Sequence, residues 1–295
     1  MSERLNPLND YLFLKYMGEK GDEEQLLAFL NAVLQRTGKG NLQSIEIIES
    51  TTMTAEIIGD KKSILDIRAK TTDNTKIDIE VQLNNLGNMD KRSLFYWCRE
   101  FVKGIKSGQD YLELPMVIAI NIVNFEFIKA DDFHTSFHLW EDIDRKCMLT
   151  DALEIHFIDM IKFKRLAEKD IKHNPLHRWL TFFDKDTNTN ILEEVIQMDT
   201  AIQKAQDRIA FVSNDEESLR AYEMREMALS DFTSGMNFAR REGIAIGEQK
   251  GKVEGKIEGK IEGKMEVARS MKKDGMPVSQ IVIYTNLSSD EIEQL

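Results

Sequence analysis

Cysteine is nearly absent. Cys98 and Cys147 are the only two in 295 residues, and they stand far apart, outside any Cys-x-x-Cys spacing. Neither a disulfide framework nor a thiolate zinc site is signalled, and a reducing cytoplasm suits such a chain. Long apolar runs are missing too: no segment nears about 18 consecutive apolar residues, and the opening "MSERLNPLNDYLFLKYM" mixes charges among its apolar positions, so neither a leader nor a membrane partner is expected. Positive charge is in deficit, with 39 Lys+Arg against 51 Asp+Glu and a net charge of -12. That balance argues against non-specific coating of nucleic acid and requires any DNA contact to come from a local basic patch. Histidine is scarce as well, five in all. His134 and His138 fall in an expected strand, where positions four apart are separated by about 13 Å. His173 and His177 flank Pro175, where a surface loop is expected.

What is present is a chain long enough for about two domains at roughly 150 residues each, with 42% hydrophobic residues to build a core. Leu12, Tyr16, Leu26, Leu27, Leu30 and Val33 recur at three- and four-residue spacings, interrupted by "GEKGDEE", which predicts two helices. Residues 44–50, 63–71, 76–84 and 115–125 have strand composition, the last apolar enough to be buried on both faces. A helix over about 90–106 separates the third strand from the fourth, and 133–140 and 152–160 extend the sheet. After about residue 163 only helical periodicity remains. The predicted order is α-β-β-β-α-β, an α/β core followed by a helical C-terminal region. The expected divisions are 1–163, 164–240 and 241–295.

Within "KIDIEVQ", Asp78, Glu80 and Gln82 share one strand face while Ile77, Ile79 and Val81 share the other. On the preceding strand Asp66 and Arg68 share a face. Opposed residues of an antiparallel pair lie on the same face, so Asp66 meets Glu80 or Gln82 only across a loop of three or five residues. Two carboxylates that close repel unless a cation stands between them, and a hard divalent ion such as Mg²⁺ with oxygen ligands answers that need. The alternative is a solvated polar face on which Asp66 pairs with a lysine or with Arg68.

These residues resemble the PD-(D/E)XK nucleases, which have a restriction-endonuclease-like core, and within them the recombination-promoting nuclease family, often labelled putative transposases. The resemblance rests on "NDYLFLKYMGEKGDEEQLLAFLNAVL", "LDIRAKTTDNTKIDIEVQ", "KRSLFYWCREFVKGIKSGQDYLELPMVIAINIVNF" and the Glu/Lys-rich helical tail, in that order. It implies a metal-dependent DNA endonuclease in which Asp66 and Glu80 hold Mg²⁺ or another divalent cation and the carbonyl of Val81 completes its shell. Gln82 stands where the superfamily has lysine. It can orient a water, but it cannot act as a general base at neutral pH. Asp10 sits where the family has an acidic residue near the chain start; a helix N-cap is the competing reading. A non-catalytic DNA-binding or oligomeric scaffold that keeps the fold is the competing function.

At 100° per residue, Arg92, Arg99, Lys103 and Lys106 fall within about 60° of one another, with Tyr96 beside them and Leu94, Phe95, Cys98, Phe101, Val102 and Ile105 opposite. This predicts one packed face and one cationic face for DNA phosphates. In "GIAIGEQKGKVEGKIEGKIEGKME" glycine recurs every four residues from Gly243 to Gly263. On a helix this repeat makes stripes of Lys, Val/Ile and Glu, from which parallel homo-oligomerisation is expected.

Overall fold

The computed structural model describes residues 4–50, 66–144 and 146–295. Two N-terminal helices, α1 (Asp10–Met17) and α2 (Glu24–Leu34), precede six strands: β1 (Ile45–Ser50), β2 (Asp66–Thr71), β3 (Lys76–Gln82), β4 (Val117–Val123), β5 (His134–Trp140) and β6 (Met148–Asp159). Helix α3 (Met89–Val102) joins β3 to β4. The C-terminal helices are α4 (Met160–Lys164), α5 (Pro175–Phe183), α6 (Thr189–Met198), α7 (Thr200–Asn214), α8 (Glu216–Lys273), α9 (Val278–Thr285) and α10 (Ser289–Glu293). Positions 63–65 of the expected second strand lie outside the described residues. Two compact units form, Met1–Asp231 and Phe232–Leu295. No helix among the described residues is long and apolar enough to cross a membrane.

The sheet runs β1-β2-β3-β4-β6-β5. β3, β4 and β6 are mutually parallel, while β1-β2, β2-β3 and β5-β6 pair antiparallel. The parallel β3-β4 pair needs a crossover, which α3 supplies. All seven residues of β4 are buried. Their side chains divide between two cores. Ile118, Ile120 and Ile122 join Ile77, Ile79 and Val81 beneath α1, α2 and the helices after β6. Val117, Ala119 and Val123 join Leu153, Ile155 and Phe157 beneath α3.

The larger core is knitted by aromatic rings from three helices. Phe13 and Tyr16 of α1, Phe29 of α2 and Trp179, Phe182 and Phe183 of α5 meet largely edge to face, the arrangement that ring quadrupoles favour. Helix α5 corrects the expectation of a loop around Pro175. Asn174 caps the helix by accepting from the amides of Leu176 and His177, and proline at the first helical position has no amide to lose. His177 therefore lies on a helix against Phe133 and Phe163, whereas His173 is exposed beside Asp170.

On the face of Ile79, the outer strands bury a polar chain. His134 Nε2 meets His156 Nδ1 at 2.9 Å, and His156 Nε2 meets Glu154 Oε1 at 2.6 Å. Glu154 also accepts from Lys39 and Thr37. Burial first, then neighbouring His156, pushes His134 down to about 3, so it is neutral. Burial raises Glu154, but hydrogen bonds from His156, Lys39 and Thr37 outweigh it and hold the carboxylate well below its usual range. These histidines serve packing and satisfy one another.

The first turns of α8 are fastened to α1. Arg225, 1% exposed, donates from Nε and Nη2 to the two carboxylate oxygens of Asp10 at 2.9 and 2.6 Å. Asn9 Nδ2 donates to Glu226, and the Asn6 amide donates to the Tyr222 hydroxyl. Beyond Asp231, the four-residue glycine repeat continues as α-helix, with Val253, Ile257 and Ile261 each about half exposed. The second unit has a small core of its own around Ala268, Ile281, Leu287 and Ile292.

Removing one partner of a buried ion pair strands the other charge. Arg225→Ala should therefore lose about 3–5 kcal/mol of unfolding free energy, read from the urea midpoint at constant m value. A change within about 0.5 kcal/mol, as at an ordinary surface position, would contradict this account of the α1-α8 clamp.

Candidate active site

The hairpin of β2 and β3 turns at Thr72-Asp73-Asn74. The Thr71 amide donates to the Thr75 carbonyl at 3.0 Å, and the Asn74 amide donates to the Thr71 carbonyl. Asn74 takes φ 71°, a left-handed conformation that asparagine tolerates and that three-residue hairpin loops use. Thr71 Oγ1 donates to Asp73 and steadies the turn. The odd loop sets the register Asp66↔Glu80, Ile67↔Ile79, Arg68↔Asp78. Across the parallel pairing, Glu80 stands beside Asn121.

The polar face so formed is buried under α3, not solvated. Asp78, Glu80 and Arg68 are 6%, 3% and 8% exposed. Arg68 Nη2 donates to Asp66 Oδ2 at 2.6 Å, and its Nε lies 3.5 Å from both Asp78 Oδ1 and Glu100 Oε1. Arg92 Nη2 donates to Glu80 Oε1 at 2.6 Å. Burial raises Glu80, and the Arg92 charge and hydrogen bond oppose that rise. Burial, then the neighbouring Asp66 charge, pushes Asp78 up to about 7. The Gln82 amide Nε2 donates to the Asn84 carbonyl at 3.0 Å. The Gln82 main-chain carbonyl accepts from the Asn124 amide on the β4 side. Successive strand carbonyls point to opposite edges, so the carbonyl of Val81 points toward β2, the edge that carries Asp66.

Helix α3 meets the sheet in a different phase from the one its sequence predicts. Met89, Ser93, Trp97 and Glu100 face inward, Trp97 donating from Nε1 to the Val117 carbonyl and stacking on Phe101. Leu94, Phe95 and Val102, expected to pack, are 46%, 63% and 63% exposed, and Cys98 is exposed too. The reason lies in the surface beneath. At β2-β3 that surface is charged and takes Arg92 and Glu100; at β4-β6 it is apolar apart from Asn121 and takes Met89, Ser93 and Trp97. The helix also ends early, at Val102. A Cβ on Gly104 would stand 2.3 Å from the Pro115 ring, so the chain passes there only as glycine.

The expected cationic face is redistributed accordingly. Arg92 turns inward to Glu80. The guanidiniums of Arg92 and Arg99 lie over the Tyr96 ring, 5.6 and 5.0 Å from its centroid. Lys103 is half exposed and its ammonium is 3.1 Å from Glu100. Lys106 lies beyond the helix in the following turn, so its predicted alignment with the other cations is corrected. Asp10 is the first residue of α1 with its carboxylate committed to Arg225, and Asn9 is the N-cap.

Three residues escaped the sequence reading: Glu100, Ser93 and Asn121. Asn121 Nδ2 donates to Ser93 Oγ at 2.8 Å and to the His156 carbonyl. Asn121 had a signal, as the one polar residue in "VIAINIV". Phasing α3 on Met89 and Trp97 would have turned Glu100 inward.

Asp66 and Glu80 each give one carboxylate oxygen to an arginine at 2.6 Å; their other oxygens and the Val81 carbonyl are chemically suited to a hard divalent cation, which commonly takes one or two carboxylates completed by water. Among the described residues, no group of three or more His, Cys, Asp or Glu side chains is assembled as a cage. A mixed sheet with an acidic pair across its central hairpin, covered by a crossover helix, defines a restriction-endonuclease-like α/β protein. The chain belongs to the PD-(D/E)XK nuclease family transposases, whose family model matches residues 7–239. The match includes the sheet, the hairpin and the Asp10-Arg225 clamp, and it ends before the glycine repeat. No curated protein and no solved structure matches the chain.

Proposed function

We propose that the protein is a divalent-metal-dependent DNA endonuclease, with Asp66 and Glu80 as metal ligands and the Val81 carbonyl beside them. The observation that carries this reading is the register that sets two carboxylates opposite each other on one face of the sheet. A bound Mg²⁺ would lower the pKa of a ligating water and polarise the scissile phosphate. Arg92 holds Glu80 in place and balances its charge, Arg68 does the same for Asp66, and Gln82 orients water without taking its proton. Arg99, Lys103 and Tyr96 offer phosphate and sugar contacts on the outer side of α3. Two unpaired, exposed cysteines suit a cytoplasmic setting.

Nicking of supercoiled plasmid should require a divalent cation and stop with EDTA. Asp66→Ala and Glu80→Ala should fall to background while keeping a cooperative thermal melt. Gln82→Ala should lose about a hundredfold or less, the scale of a misplaced reactant. Undiminished cleavage by both carboxylate variants would defeat the assignment, and a metal-independent wild type would leave a scaffold as the better reading.

Binding is separable from cleavage. Arg99→Gln and Lys103→Gln should each reduce the magnitude of the log-log salt slope for duplex binding by about 0.9. An unchanged slope in the double variant would mean that these cations are only solvated.

The glycine-repeat helix supports a further part of the reading, a parallel homodimer. Val253, Ile257 and Ile261 form an exposed apolar stripe flanked by Lys and Glu stripes. A parallel two-fold pair sets Lys against Glu, whereas an antiparallel pair opposes like charges. A four-residue period exceeds 3.6, so a sustained supercoil would be right-handed. With Cys98 and Cys147 replaced, single cysteines at 253, 257 and 261 should each self-crosslink under mild oxidation. Crosslinking at only one of the three would indicate antiparallel crossing, and none above collisional background a monomeric helix.

A further inference from the structure

The carboxylate cluster under α3 is larger than the pair that the proposed metal needs. Asp66, Asp78, Glu80 and Glu100 converge there, and three of them surround one side chain. The guanidinium of Arg68 is 2.6 Å from Asp66, 3.5 Å from Asp78 and 3.5 Å from Glu100. Its side chain is 10% exposed. Arg92 pairs with Glu80 on the other side of the hairpin, and Lys103 and Arg99 reach Glu100 from outside at 3.1 and 3.8 Å. Lys76 Nζ donates to the Glu100 carbonyl.

Nucleases that use two metals hold the ions about 3.5–4 Å apart and need carboxylates to bridge and flank them. Here the carboxylates that would flank a second ion next to Asp66 are Asp78 and Glu100, and a guanidinium already stands among them. Arg68 also comes from the strand that carries Asp66, two residues along on the same face, so its position follows from the register that forms the site.

We infer that Arg68 is a positioning residue that acts as a built-in cation: it fixes the Asp66 carboxylate, occupies the place of a second metal, and limits the site to one divalent ion. This rests on the metal reading of Asp66 and Glu80. A planar fork meets three acceptors at once, as an ammonium does less well. Charge matters more than shape for excluding a second cation, so lysine at position 68 should retain the single-ion limit.

The test is the number of Mn²⁺ ions bound per full-length chain, from calorimetry and from the electron paramagnetic resonance of bound Mn²⁺. Wild type and Arg68→Lys should bind one ion with the spectrum of an isolated centre. Arg68→Met, unbranched and uncharged, should bind two and show the spectrum of a spin-coupled pair. Should Arg68→Met fail to melt cooperatively, Glu100→Gln decides: it should still bind one ion, with affinity within about threefold of wild type, because Glu100 pairs with Arg68 and not with metal. Two ions in wild type, one ion in a folded Arg68→Met, or a tenfold loss of affinity in Glu100→Gln would overturn the inference while leaving a metal site at Asp66 and Glu80 intact. No ion in wild type, or undiminished binding in Glu80→Ala, would defeat the metal reading and this inference with it.

Discussion

The register of one hairpin governs the site. A three-residue turn closed between Thr71 and Thr75 puts Asp66 opposite Glu80, and a slip of one residue would send the whole polar set to the other face of the sheet. Once that register is set, other features follow. The carboxylates are buried under a helix, so cations must accompany them, because an unpaired buried charge is costly. One cation, Arg68, comes from the hairpin itself; the other, Arg92, comes from the crossover helix. Supplying Arg92 and receiving Glu100 fixes the rotation of α3, and that rotation leaves Leu94, Phe95 and Val102 facing outward.

The sheet separates two kinds of environment. Toward α1, α2 and α5 to α7 it presents branched aliphatic residues that build the main core, with the His134-His156-Glu154 chain satisfied at its outer strands. Toward α3 it presents a charged half over β2 and β3 and an apolar half over β4 and β6. The first is packed core; the second holds the candidate site. The clamp of Asp10 on Arg225 fastens the start of the long helix to the helix that opens the fold, joining positions 215 residues apart.

Much of this architecture was legible in the residues. Alternation in "KIDIEVQ" marked its two faces, the turn chemistry of "TTDNT" allowed an odd loop, and the apolar run of β4 announced burial on both faces. The rotation of α3 was not legible, because its apolar residues cover most of its circumference and the sequence alone favours the wrong stripe. Only the charged surface beneath selects Glu100 over Leu94 for the interior. Arg92 and Asp10 were legible as charges but not as partners, since Glu80 and Arg225 are chosen by tertiary contact. Lys106 shares the helical phase of the other cations in sequence, but Gly104 packed on Pro115 follows the end of the helix and precedes it. Pro175 read as a breaker, yet with Asn174 before it, it opens a helix.

The proposed chemistry requires Asp66 and Glu80 to share one divalent cation. Crystals of the full chain soaked in Mn²⁺, with data collected near the manganese absorption edge, test it most directly. The expected result is one anomalous peak between the two carboxylates, close to the Val81 carbonyl, that disappears in Glu80→Ala. A peak bound elsewhere on the chain, or none at the hairpin at saturating Mn²⁺, would contradict the account.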